Sequence, residues 1–210
     1  MNTVNQQGHN SKQPFCSADG KYLFFASDRN GGAGGFDIWY ANIQPDGTTG
    51  DPINVGQINT KEDEQAPFFH SSSGILVFSS NGMQGMGGFD LFTTKMNESG
   101  FKKPENMGHP VNSSRDDIYF FANDKNELLK NAIIGSDRGS ECCLETYTIN
   151  KSPKKKIITG VVRDCKTNES IADAVVTIQD KQTKTGADGK FQFEIDADVE
   201  AHGGGVLRSA

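Results

Sequence analysis

The sequence has no apolar run approaching the roughly 20 residues that a membrane-crossing helix needs. Gly, Pro, Asn or Asp interrupts every stretch longer than about ten residues, so long buried helices are not expected either. Positive charge is scarce: 21 Lys and Arg stand against 27 Asp and Glu, a formal net charge of −6 at pH 7. A nucleic-acid surface neutralises phosphates with clustered cations, so no nucleic-acid partner is expected. The one basic run, Lys154 to Lys156 behind Pro153, reads as a solvated linker. Cysteine is limited to Cys16, Cys142, Cys143 and Cys165, none of them spaced as a CxxC pair, which argues against a zinc ribbon.

Catalytic signatures are missing as well. There is no G-x-S-x-G elbow and no D-x-D-x-D-G calcium loop, and the histidines His9, His70, His109 and His202 lack a metal-ligand spacing. His70 and His109 are expected on turns. The glycine-rich stretch "GGAGGFDIWY" from Gly31 invites a phosphate-loop reading, yet no Lys follows it and Asp37 stands where G-x-G-x-x-G would end. No catalytic residue, cofactor or metal ligand follows from the motifs, and the chain is expected to be no enzyme.

What the sequence does have is glycine, 24 in 210 residues, with a mean hydropathy of −0.56. That balance suits many turns and modest cores, and the expected class is all-β. A repeat supports it. Displaced by 53 positions, "QPFCSADGKYLFFASDRNGGAGGFDIWY" from Gln13 lies over "APFFHSSSGILVFSSNGMQGMGGFDLFT" from Ala66. Gly34, Gly35, Phe36 and Asp37 meet Gly87, Gly88, Phe89 and Asp90 without a gap. A partial third copy follows: "GQINTKEDEQAPFF" from Gly56 is echoed by "GHPVNSSRDDIYFF" from Gly108, and "SDRNGG" by "SDRGS". Val4 and Asn5 resemble Ile58-Asn59 and Val111-Asn112, so the chain reads as a window cut from a longer array. On that reading Met1 is an internal methionine, and the missing secretory signal carries no information.

Periods of about 40 to 50 residues point to propeller blades or related arrays. One unit reads as a short strand at Pro14 to Cys16, a turn, Tyr22 to Ser27, the glycine loop, Phe36 to Asn42, a second turn, and Ile53 to Val55. Four antiparallel strands per unit make a blade. The glycine loop is then an inter-strand connection stamped out once per unit.

The pattern of Pro14, Phe15, "SADGKYLFFASDR" and "GGFDIWY", repeated with "GGFDLFT", resembles the TolB-type β-propeller repeat. The form with "GG-x-GGFD" and "N-T-x-E-D-E" is similar to the propellers of Bacteroidetes OmpA-family envelope proteins, including PorE-like components of type IX secretion. After Lys151 a different module begins. Gly160, Val162, Asp164, Ala174, Val176, Ile178, Thr185, Asp188, Gly189 and Phe191 match a carboxypeptidase-regulatory-like domain, a small transthyretin-like β-sandwich. Val175, Thr177, Phe191, Phe193 and Ile195 alternate as a strand face turned to a core would.

The expected organisation is a partial propeller of about three four-stranded blades over 1–150, a linker at 151–156, the start of an incomplete sandwich over 157–196, and an irregular tail at 197–210. The resemblance implies a non-enzymatic scaffold of the cell envelope, periplasmic and outer-membrane-associated. Such a scaffold would link a secretion or transport assembly to the cell wall, reaching peptidoglycan only through a domain absent here. The alternatives are the gating propeller of a peptidase and a propeller that binds a glycan or small ligand.

Six residues are the candidate contacts. Asp37 and Asp90 either fasten the glycine loops by accepting backbone N–H bonds or form an acidic ring that holds a cation or basic ligand. Arg29 and Arg138 either pair with the adjacent Asp28 and Asp137 or bind a carboxylate-bearing ligand. A bond between neighbouring cysteines is strained, so Cys142 or Cys143 is the candidate to bridge Cys165 in an exported protein.

Overall fold

The computed structural model describes residues 4–151, 155–178 and 181–196. Among these the chain is all-β, with sixteen strands and no helix. Accordingly, no helix is long and apolar enough to cross a membrane. It divides into two units, Met1–Lys151 and Ser152–Ala210.

The first unit holds three antiparallel sheets. Sheet 1 runs β1 (Ser11–Cys16), β2 (Tyr22–Ser27), β3 (Asp37–Asn42) and β4 (Ile53–Asn54), in that order. Sheet 2 repeats it with β5 (Glu64–His70), β6 (Ile75–Ser80) and β7 (Asp90–Asn97); β7 then pairs with both β8 (Gly100–Phe101) and β9 (Glu105–Asn106). Sheet 3 has only β10 (Asp117–Phe121), β11 (Ala132–Ser136) and β12 (Glu145–Ile149). Among the described residues no fourth strand pairs with β12, so the third copy departs there from the expected four-stranded unit.

The strand sequences explain the stacking. β6, "ILVFSS", is apolar almost throughout because both its faces are covered. Leu76 and Phe78 join the core shared with Phe24, Ala26 and Ile38 of sheet 1. Val77, on the opposite face, joins the core shared with Phe120, Ala132 and Ile134 of sheet 3. Sheet 2 is therefore the filling between two cores. Phe24 sits at the centre of the first, its ring centroid 5.0 Å from Phe69 and 5.7 Å from Tyr40.

The first strand of each sheet carries a bulge that glycine or asparagine would normally signal. Gln13, Ala66 and Tyr119, 53 residues apart, have φ of 53°, 53° and 62°. The pairing register slips at each: between Lys12 and Phe15, Gln65 and Phe68, and Ile118 and Phe121. A left-handed conformation costs an ordinary residue on the order of 1–2 kcal/mol, so three repeats of it mark a position the surroundings enforce. The slip brings Phe15, Phe68 and Phe121 into one row, with ring centroids 4.9 Å and 5.6 Å apart.

The second unit has two antiparallel pairs, β13 (Lys155–Val161) with β16 (Lys190–Asp196) and β14 (Val175–Ile178) with β15 (Lys181–Lys184). Two expectations need correcting. The linker ends earlier than its composition suggests, because Lys155 and Lys156 open β13 and Lys155 pairs with Glu194 at 2.8 Å. Lys154 lies outside the described residues, as does the expected tail. In β14 the exposed residues are Val175 and Thr177, and it is Val176 and Ile178 that are half-buried. Strict alternation leaves two candidate faces, and only the pairing with a partner strand selects one. Phe193 and Ile195 are buried as expected, and a Cβ on Gly160 would lie 2.5 Å from the Phe191 ring, so that glycine is required for β13 and β16 to pack.

Candidate functional site

The repeated polar residues converge on the joints between sheets. Asn59 clamps sheet 1 from the segment that leads into sheet 2: its amide oxygen accepts the Ile38 N–H at 2.8 Å and its Nδ2 donates to the Ile38 carbonyl at 3.0 Å. Asn112 does the same to Leu91 at 2.8 and 2.9 Å. Four residues on, Asp63 accepts the Phe36 N–H at 2.7 Å and Asp116 the Phe89 N–H at 2.8 Å. The Glu64 and Asp117 N–H groups then donate to the carbonyls of Phe36 and Phe89. An asparagine amide thus reproduces what a neighbouring strand would offer, which closes the sheet edge without a strand.

The glycine loops make room for this clamp. A Cβ on Gly34 would come within 2.5 Å of backbone atoms of Thr60, Lys61 and Glu62, and one on Gly87 within 1.9 Å of the Arg115 carbonyl oxygen. These glycines admit the backbone of the next sheet rather than a phosphate. Asp37 and Asp90 fasten the loops from the other side. Asp37 Oδ2 accepts the Ala33 N–H at 2.5 Å, and Asp90 Oδ2 accepts those of Met86 and Gly87 at 2.7 and 3.0 Å. Burial pushes the Asp37 carboxyl above the usual carboxylate range, against the pull of the Ala33 N–H and Asn54. The remaining carboxylate oxygen of each, Oδ1, is buried with no hydrogen-bond partner among the described residues. Each acid belongs to its own sheet, and among the described residues no three His, Cys, Asp or Glu side chains form a metal-binding group.

Asp28 and Asp137 hold the entry to their sheets: Asp28 accepts the Asn10 N–H at 2.7 Å and Asp137 the Asp116 N–H at 2.9 Å. The arginines do not follow the expected neighbour pairing. Arg138 reaches across its sheet to Asp117, which is fully buried, and to the carbonyls of Pro110 and Val111. Arg29 is buried; its Nε donates to Ser27 at 3.1 Å, and its guanidinium also reaches Ser11 and the Val4 carbonyl. It lies over the Phe25 and Trp39 rings, 4.7 and 5.3 Å from their centroids, as Arg138 lies over Tyr147 at 5.2 Å.

The second copy has Gly82 in the arginine's place; its N–H donates to the Ser80 hydroxyl at 3.1 Å, which in turn donates to the buried carboxylate of Glu64. Glu64 is held by the Thr60 N–H at 2.7 Å and the Thr60 and Ser80 hydroxyls at 2.8 and 2.6 Å. Burial raises its pKa above the ordinary 4.5, the donors pulling the other way. A raised folded pKa favours the neutral acid in the fold, so this contribution is complete below about 4.5 and fades as pH rises through the folded value. Glu64→Gln, which stays neutral, is expected to flatten that dependence. In urea titrations from about pH 4 to about pH 8 the variant should gain on the wild-type chain as pH rises, whereas a parallel pair of curves would contradict it.

The sheets leave a groove open at one end of their first strands. About 470 Å³ in volume, it is floored by Phe15, Phe68 and Phe121 and rimmed by residues such as His70, Ser72 and Lys125. His70 is the buried last residue of β5 rather than a turn residue; its Nε2 donates to the Asp124 carbonyl at 2.8 Å and so carries a proton. At the same rim, the N–H groups of Asn126 and Glu127 and the Lys130 ammonium lower the Asp124 carboxyl to about 2. None of the groove residues was a candidate contact from the sequence. The available signal was the persistence of Phe15, Phe68 and Phe121 through all three copies.

Cys16, Cys142, Cys143 and Cys165 are exposed free thiols. The Cys143 thiol is raised by its hydrogen bond with Cys142, then by burial and Glu145. No family model matches the chain, and no curated protein matches it.

Proposed function

We propose that the chain is a non-enzymatic interaction scaffold of the bacterial cell envelope, periplasmic and associated with the outer membrane. In this reading the three sheets are successive blades of a TolB-type β-propeller and the second unit is the start of a carboxypeptidase-regulatory-like sandwich. The observation that carries it is how the repeated polar side chains are used: Asp37, Asp90, Asp117, Arg29, Arg138, Asn59 and Asn112 hold loops and sheets together, while apolar and aromatic surface remains open. A protein built this way offers shape and apolar contact rather than a reaction centre. The resemblance of "GG-x-GGFD" and "N-T-x-E-D-E" to OmpA-family envelope proteins supplies the compartment and the kind of partner, a subunit of a secretion or transport assembly.

Fractionation of the source cells with an antibody to this chain, after crosslinking in intact cells, tests the reading. The expected result is recovery with the outer membrane, crosslinked to a membrane-complex subunit. Recovery only in the cytosol would overturn it.

A further inference from the structure

The loop between β11 and β12 breaks the pattern of its two counterparts. Ser27, Ser80 and Ser136 stand opposite Asp37, Asp90 and Glu145 in the strand registers, so, counted back from the third strand, Gly34-Gly35 and Gly87-Gly88 correspond to Cys142-Cys143. In the first two sheets these glycines have no room for a side chain. A Cβ on Gly34 or Gly87 would meet the backbone of the next segment, and one on Gly35 or Gly88 would lie 2.2 or 2.3 Å from the Asp63 or Asp116 carboxylate. The third loop therefore cannot admit a neighbouring backbone in the same way, and what it carries instead is two thiols.

Both thiols are exposed. The Ser140 hydroxyl accepts the Cys142 N–H at 3.2 Å and the Cys143 N–H at 3.1 Å, which turns the loop and holds the two residues side by side. Both line a cavity of about 260 Å³ whose other walls include Asp116 and Asp137. Each of these carboxylates gives Oδ1 to the frame, Asp116 to the Phe89 N–H and Asp137 to the Asp116 N–H, and leaves a negative charge at the wall. Glu141 and Glu145, both exposed, flank the pair in sequence, while Arg138 is taken up by Asp117. Reactive cysteines need the opposite surroundings, cationic ones that lower the thiol pKa, whereas the Cys143 thiol is raised, first by its hydrogen bond with Cys142. An acidic surrounding suits a cation, which replaces the thiol protons outright. Two sulfurs close enough to share a hydrogen bond also span one edge of a tetrahedral site, about 3.8 Å for metal–sulfur bonds of about 2.3 Å.

We propose that Cys142 and Cys143 together chelate a thiophilic divalent cation of the zinc or cadmium class, with water filling its remaining positions and the carboxylates of Asp116 and Asp137 offsetting its charge from the cavity wall. The exchange balances without an oxidant: two S–H bonds break, two metal–sulfur bonds form, and two protons leave to solvent. Only the two sulfurs bind directly, fewer ligands than a structural zinc site uses, so the cation is exchangeable rather than part of the fold. A bond between the two sulfurs themselves is strained, which keeps them available as a pair. The site goes beyond the scaffold reading and does not depend on it.

Cadmium titration of the reduced full chain, followed by the ultraviolet absorption of the cadmium–thiolate bond, tests the site. The expected result is saturation at one cadmium per chain, reversed by added zinc. Cys142→Ser and Cys143→Ser should each weaken binding by about a hundredfold, since linking two binding groups on one frame typically gains at least that. The double variant Cys16→Ser/Cys165→Ser should bind as the wild-type chain does. Near-ultraviolet circular dichroism separates lost binding from lost packing, and alanine replaces serine at either position where the spectrum changes. Undiminished binding in either single variant, or binding lost in the Cys16→Ser/Cys165→Ser chain, would overturn the chelate. So would protein from its native cells, thiols blocked at lysis, in which Cys142 and Cys143 are bonded to each other or either is bonded to Cys165. None of these outcomes bears on the fractionation test of the envelope reading.

Discussion

Phe24→Ala is expected to cost about 3–5 kcal/mol, the range for emptying a fully buried phenylalanine site. Phe24 is 0 % exposed and touches four rings, those of Tyr22, Tyr40, Phe69 and Phe101, drawn from both sheets that share its core. The cavity cannot collapse easily, because the surrounding strands are held by ladder bonds and clamps on either side. Domains of this size have about 5–15 kcal/mol of stability in all, so the variant should lie close to its unfolding midpoint in mild urea. Trp39, the single tryptophan, pairs across β2 and β3 with Phe25 and reports directly on sheet 1. Its fluorescence transition should move to lower urea, while Phe36→Ala, at the half-buried rim, moves it far less. Equal shifts for the two would mean that the core is not where the joint derives its strength.

The second large effect belongs to Arg138. Asp117 is fully buried, and the guanidinium is its only cationic partner among the described ion pairs. Removing one partner of such a pair leaves a charge with nothing to offset its lost hydration, typically a loss of about 3–5 kcal/mol. Arg138→Ala should therefore destabilise sheet 3 by that order, even though the Ser113 N–H and hydroxyl still reach Asp117 at 2.6 and 2.9 Å. Adding Asp117→Asn to Arg138→Ala should restore a good part of the loss, since an amide has no charge to strand. Urea titrations of the two single variants and the double variant measure the coupling. A double variant as unstable as the sum of the singles would show that the arginine acts through its carbonyl contacts alone.

Several parts of this organisation were legible in the sequence. The 53-residue echo located β2 and β3 and their counterparts, because two-sided burial leaves near-continuous apolar runs such as "YLFFAS" and "ILVFSS". Asp37 and Asp90 as loop fasteners followed from local chemistry, since a carboxylate just past a glycine loop has backbone N–H groups within reach. The partner of Arg138 was not legible. It depends on the register that sets Asp117 opposite Ser136, and no spacing along the chain reveals that. Nor were the bulges at Gln13, Ala66 and Tyr119, where residues without a left-handed preference are held there by tertiary contacts. β15, "KQTK", carries no apolar signal because it is an exposed edge strand, and the lysines of β13 read as linker for the same reason.

The clamps sit in the connections, just ahead of the first strand of the sheet that follows the one they grip: Asn59 and Asp63 precede β5, and Asn112 and Asp116 precede β10. The socket each clamp enters lies in the third strand of the sheet before. A stretch of gene running from one such asparagine to the next therefore encodes a sheet together with its own plug and its own socket. Duplicating that stretch in tandem would lengthen the stack by a piece that fits at both ends on arrival. Growth by copying is thus open to this fold, and the polar joint is what makes each added piece fit.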